Sequence, residues 1–270
     1  MFKKKIVIVL ALVLSAIMIL SGGLTVSAEN VTYPPDIPEI DVELPDNIPE
    51  IDVELPDDSF ISRTFTVSRF NHVIVGGNWI VTYVQAPNHA IRVEMPSRWF
   101  DNYNFNVRSR TLRVERRGLL PGLTDFSQPR LYVYAPSLDS VNLSGFAVAE
   151  NWSTVAGRDF TINISGAARA NFDLEITRNL TVNSSGTARL TLSGNTRDLR
   201  INGSGVVHIE AFELQARDAR PVNLGGVGFV EISVSDRLNI QAAGTTRIYY
   251  RGDPRITQRI TRSVQVIQVD

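Results

Sequence analysis

The sequence predicts an all-β protein: a single-chain β-helix, or solenoid, with coils of about twenty residues, irregular strands at its N-terminal side and no helix after the signal segment. Three observations predict it. The phrase β-branched residue, Asn, any residue, small residue, Gly occurs as Val141–Gly145, Ile162–Gly166, Val182–Gly186, Ile201–Gly205 and Val222–Gly226, and drifts to Ile240–Gly244. Its glycines (Gly145, Gly166, Gly186, Gly205, Gly226 and Gly244) are 21, 20, 19, 21 and 18 residues apart, a period typical of stacked arrays. Four residues before each glycine stand Val141, Ile162, Val182, Ile201, Val222 and Ile240; four after it stand Ala149, Ala170, Leu190, Ile209, Val230 and Ile248. Two apolar rows in constant phase with a turn residue imply that successive coils stack, because one coil cannot bury its own face whereas several together can.

Residues 1–28 read as an export signal. Lys3, Lys4 and Lys5 precede the apolar run Ile6–Leu20, and Val26-Ser27-Ala28 offers small residues for cleavage. Cleavage after Ala28 and retention as an uncleaved anchor are both open, and a membrane is expected as a partner only in the second case. Residues 29–58 hold eleven acids and no base, and repeat Ile37–Asn47 almost unchanged as Ile48–Asp58. Prolines bracketing like charges favour an extended spacer. Residues 59–270 form the β domain, with 24 Arg against 17 acids. There is no Cys, so the domain depends on its own core.

Within 59–136 the strands run without the twenty-residue beat: Thr64–Val67, Val73–Val75, Trp79–Val84, Ile91–Glu94, Phe105–Val107, Thr111–Glu115 and Arg130–Tyr134, punctuated by Gly76-Gly77, Pro87-Asn88, Pro96-Ser97 and Pro121-Gly122. Residues 137–270 carry the repeats. There each Gly supplies a turn conformation with positive φ, and the small residue before it lets backbones stack closely. The Asn three before Gly points away from the apolar row in a regular strand, forming an outward ladder of amides; a turn that began earlier would face it inward.

Phe65–Gly77, Leu131–Gly145, the Ser-Gly repeats and Tyr250–Pro254 resemble the bacterial auto-transporter adhesin "head GIN" domain family, over about Phe60 to Asp270. The resemblance implies a β-helix of pectin-lyase-like appearance, an exported surface or adhesion role, and no established catalytic residues. Gly225-Gly226 and Ala243-Gly244 depart from its Ser-Gly, and Thr261–Val264 stands where a last repeat would be, as a worn final coil.

For chemistry, the residues give little. A polysaccharide lyase or hydrolase needs grouped carboxylates, yet Asp173, Glu175, Glu210, Glu213, Asp218 and Glu231 do not share one phase. His72, His89 and His208 are scattered, so no metal site, cofactor or catalytic set is expected. A purely structural envelope protein is the other alternative to adhesion.

Three features depart from the phrase. Arg169, Arg189, His208 and Arg247 share the position three after Gly, a basic strip for acidic glycans or envelope polymers unless it is simply solvated; Val148 and Phe229 interrupt it. In Pro96–Phe105, Trp99 and Tyr103 either stack on sugars or plug the end of the coil. Arg251-Gly252-Asp253 is either an integrin-recognition tripeptide or part of the family pattern Tyr-x-Gly-x-Pro, which accounts for it without a receptor. Nucleic acid is not an expected partner.

Overall fold

The structure is a computed structural model that describes residues 60–117 and 128–270, all within the compact unit Val53–Asp270. The signal segment, the spacer and the Pro121-Gly122 turn lie outside the described residues.

Strands account for nearly everything described. They are β1 (Phe60–Thr66), β2 (His72–Gly77), β3 (Ile80–Gln85), β4 (Ala90–Pro96), β5 (Tyr103–Arg108), β6 (Thr111–Arg116), β7 (Arg130–Ala135), β8 (Ser140–Gly145), β9 (Val148–Ala149), β10 (Val155–Arg251), β11 (Arg255–Ile260) and β12 (Val264–Gln268). Their order in the sheet, which is not closed, is β1-β4-β7-β3-β9-β10-β8-β2-β6-β5, with β11 and β12 paired to β10. One correction to the expected absence of helix is a 3₁₀ turn over Ser97–Asn102. Pro96 enters it at φ −52°, and the tight turn buries Trp99 and Phe100.

β10 is unbroken for 97 residues, yet it is no straight strand, since at about 3.3 Å per residue it would exceed 300 Å. It bends at Gly166, Gly186, Gly205, Gly226 and Gly244, whose φ angles run from +84° to +108°. Ladder pairing continues through the bends because each lies on the equivalent bend one tier earlier. A Cβ built on Gly166 would come within 2.7 Å of the Gly145 carbonyl oxygen, and one on Gly145 within 2.9 Å of that of Gly77. Only a residue without Cβ fits both the positive φ and this approach.

Pairing is parallel and in phase. Val141 of β8 lies beside Ile162 of β10, Ala149 of β9 beside Ala170, and Leu238 and Ile248 beside Ile256 and Val266 of β11 and β12. Both apolar rows are buried throughout, at 0–1% exposure. The strip of twelve side chains between Val141 and Ile248 is thus one continuous core.

The N-terminal strands belong to the same stack, which corrects the reading of 59–136 as lacking the beat. Val73 pairs with Val141 and Val81 with Ala149, so Val73 and Val81 are the residues four before and four after Gly77, itself at φ +109° beneath Gly145. The beat was hidden because Ile74 replaces the Asn and β4–β7 intervene before the next copy. β6 and β7 add a further layer, parallel to β2 and β3. β1, β4 and β5 then pair antiparallel and end the progression.

At the other end, β11 and β12 keep register although no glycine bend separates them; Val264 N–H donates to the Thr261 carbonyl at 3.1 Å instead. Ile256, Ile260 and Ile267 remain partly exposed there.

Candidate functional site: an amide ladder in a groove

The Asn of each phrase sits between two inward residues, so strand alternation turns it outward. Asn142, Asn163, Asn183, Asn202 and Asn223 are all half-buried. Each Nδ2 donates to the Oδ1 of the preceding copy: Asn163 to Asn142 at 2.5 Å, Asn183 to Asn163 at 2.8 Å, Asn202 to Asn183 at 2.8 Å and Asn223 to Asn202 at 2.9 Å. Amides hydrogen-bonded in one direction polarise one another, which strengthens the chain. The outward ladder is therefore what forms.

This ladder lines a groove of about 720 Å³ running from Asn142 to Gln241. Ser144, Ser165, Ser185 and Ser204, one residue before each bend, line it too, with Gly225 in that place on the next tier. None of its lining residues is charged. An Asn side chain carries two donors and two acceptor lone pairs, and the ladder uses one of each, so every inner tier retains one donor and one acceptor. The ladder ends at Asn223, whose Oδ1 is buried without a partner, because Gln241 replaces the next Asn and is exposed.

The basic strip is divided. Arg169, Arg189 and Arg247 are exposed and His208 is half-buried. Arg189 Nη2 is 2.6 Å from Glu210 Oε1, and His208 Nε2 is 2.8 Å from the same oxygen. Arg189, then His208, hold the Glu210 carboxyl below its ordinary range. The His208 ring also stacks on Phe229 at 4.6 Å, and Arg247 donates to Gln265 at 3.2 Å. Arg169 has no ion-pair partner among the described residues. Glu210 and Glu231 do share a phase, five after Gly205 and Gly226, contrary to the reading of scattered acids.

Trp99 and Tyr103 are not placed to stack on sugars. They are only 3% and 9% exposed, Trp79 meets Tyr103 edge to face at 5.1 Å, and Phe105 stacks on Phe65 at 5.6 Å. Burial of large rings at the β1, β4 and β5 end makes this loop part of the closure there. In Arg251-Gly252-Asp253, the Arg251 guanidinium lies 4.3 Å from the Phe212 ring centre and donates to the Asp270 carbonyl at 3.0 Å.

An ion-pair ladder escaped the sequence reading. Arg178 donates from Nε and Nη2 to Asp159 at 2.8 and 2.5 Å, and Asn179 Nδ2 donates to it at 2.5 Å. These bonds, Arg178 first, hold the Asp159 carboxyl down at about 2. Further along, buried Asp218 accepts from Arg237 twice at 2.7 Å and from Arg220 at 3.2 Å, and Asp236 accepts from Arg217 and Arg255. Arg237 is the main cause that lowers Asp218. The signal was present, since acids and Arg cluster six to nine residues before Gly166, Gly186, Gly205, Gly226 and Gly244, but only stacking shows that they meet.

His72 Nδ1 lies 2.7 Å from Ser140 Oγ, which is also the distance of a nucleophile and its base. No described group holds Nε2 of His72, and the pair sits on adjacent strands as a cross-strand contact. Among the described residues no three His, Cys, Asp or Glu side chains could jointly hold a metal ion.

Fold and face together define a class: an all-β repeat protein with a long, uncharged amide face. The chain belongs to the family described as "putative auto-transporter adhesin, head GIN domain", which it matches over residues 69–254. Solved structures share the fold. A "putative adhesin" from Bacteroides fragilis superposes with a TM-score of 0.70 at 18% identity, covering 78% of this chain and 97% of that one. One from Parabacteroides merdae gives 0.62 at 21%, covering 78% and 96%. A "putative lipid binding protein" from Parabacteroides distasonis gives 0.61 at 20%, covering 78% and 97%. No curated protein matches the sequence.

Proposed function

We propose that this chain is an exported, surface-associated and non-enzymatic β-solenoid that acts in adhesion, contacting glycans or envelope polymers, with coils of about twenty residues carried beyond the membrane on the acidic spacer. Family membership supports the adhesin class and an exported setting. The observation that carries the reading is the uninterrupted ladder from Asn142 to Asn223, which leaves the same pair of polar groups on every inner tier. A periodic face suits a periodic polymer, whereas a catalytic site concentrates unlike groups at one point. Two of the carboxylates that a glycosidase reading would draw on are engaged elsewhere: Asp218 by Arg220 and Arg237, and Glu210 by Arg189 and His208.

The test uses the full chain and cells lacking it. Saturable retention of the chain on isolated envelope or glycan surfaces, without released products, and reduced adherence of the deletion strain are expected. Depolymerised products, or unchanged adherence and envelope composition in the deletion strain, would overturn the proposal.

A further inference from the structure

We infer that the groove over the amide ladder binds an unbranched neutral polysaccharide, laid along the stacking direction with about one sugar unit per tier. The inference rests on the adhesion reading and deepens it by naming ligand and site.

Four observations select the ligand. First, each inner tier keeps one amide N–H and one carbonyl lone pair free of the ladder, next to a serine hydroxyl. A donor and an acceptor on one rigid planar group match the adjacent hydroxyls of a sugar ring, each of which both donates and accepts. Second, no lining residue is charged. A uronate or phosphate would lose hydration there without a counter-charge, which is costly. The acyl chain of a lipid would suit Leu143, Ile164 and Leu224, which also line the groove, but would strand the amides and hydroxyls of every tier without partners. Third, an extended peptide binds by completing a sheet edge, but the backbone under the groove is already paired from tier to tier. Fourth, the ladder is pre-organised: the Asn side chains are fixed by one another, so a ligand meets them without ordering them first.

Two features set the polarity and extent of the site. The ladder runs one way, from Asn223 as first donor to Asn142 as last acceptor, which gives the row a direction. At the other end the tier below Asn142 carries Ile74, so the amide row stops there. Five amides therefore count out the site.

The experiment is calorimetric titration of the full chain with size-fractionated oligomers of a neutral unbranched hexose polymer and of a polyuronate, at two salt concentrations. Affinity for the neutral series is expected to rise with length, to level off near five or six units, and to be insensitive to salt. Ser185→Trp places a ring in the groove from an exposed position and is expected to weaken binding at least ten-fold with an unchanged circular dichroism spectrum. Arg189→Gln, on the basic strip outside the groove, should leave it unchanged.

Three results would overturn the inference: equal binding by Ser185→Trp, no saturable binding of either polymer, or salt-sensitive preference for the polyuronate that Arg189→Gln abolishes. The last would move the ligand to the basic strip and leave adhesion intact. Unchanged adherence of the deletion strain fails the adhesion reading itself, independently of where sugars bind.

Discussion

Gly226→Ala tests the stacking of bends most directly, because its neighbour supplies the control. Gly226 has φ +108°, and a Cβ there would overlap the Gly205 carbonyl oxygen and lie 3.1 Å from its amide nitrogen. Forcing an L-residue into the left-handed region costs about 1–2 kcal/mol. Displacing packed backbone adds about 1–3 kcal/mol, and the stiffer unfolded chain returns about 0.4–1 kcal/mol. The net loss is roughly 1–4.6 kcal/mol, equivalent to a fall in Tm of about 2–18 °C at 2–4 °C per kcal/mol. Gly225 lies outside the left-handed region and a Cβ there meets nothing within 4 Å, so Gly225→Ala should be neutral or slightly stabilising. Urea and thermal denaturation of both variants provide the measurement. If Gly226→Ala stays within about 0.5 kcal/mol of wild type, or if Gly225→Ala is equally harmful, the bends do not stack as described.

Other outcomes follow from the same geometry. Asn183→Ala removes a donor and an acceptor from the middle of the ladder and should cost about 1–3 kcal/mol by denaturation, more than Asn142→Ala at its end. Trp99→Ala should cost about 3–5 kcal/mol as a buried ring is lost, while glycan affinity measured well below its Tm stays unchanged. A loss of affinity with no loss of stability would restore Trp99 as a contact residue. Acid titration probes the ion-pair ladder. Asp159 is lowered from 3.8 to about 2 in the fold, so its contribution is complete above the unfolded value and disappears as pH falls through about 2. Asp218 is shifted in the same direction. Asp159→Asn with Asp218→Asn should therefore lower stability at pH 7 and flatten its decline below about pH 4, which denaturation series at several pH values would show.

Most of the architecture was legible in the residues, because parallel stacking repeats one environment and so repeats its residue type. The row Val141, Ile162, Val182, Ile201, Val222 and Ile240 and the positive-φ glycines could be read in order from the chain alone. The Gly77 tier was not legible. Pairing through space needs no constant spacing along the chain, and the stretch carrying β4–β7 separates Gly77 from its partner Gly145. Nor did sequence decide which side of Pro96–Phe105 was buried, since Trp99 and Tyr103 suit a sugar platform and a plug equally until the fold buries both rings and sets Tyr103 against Trp79.

The candidate site divides in the same way. By itself, the sequence determined that an Asn would recur on every tier and face away from the apolar row, since alternation along a strand is a local property. Only the tertiary structure decided that these amides donate to one another in one direction, that they line a groove without a charge, and that Glu210 pairs with Arg189 of the basic strip. Those are contacts between residues about twenty positions apart, and a hydrogen bond of 2.8 Å is set by the distance between paired strand segments rather than by the order of residues along one.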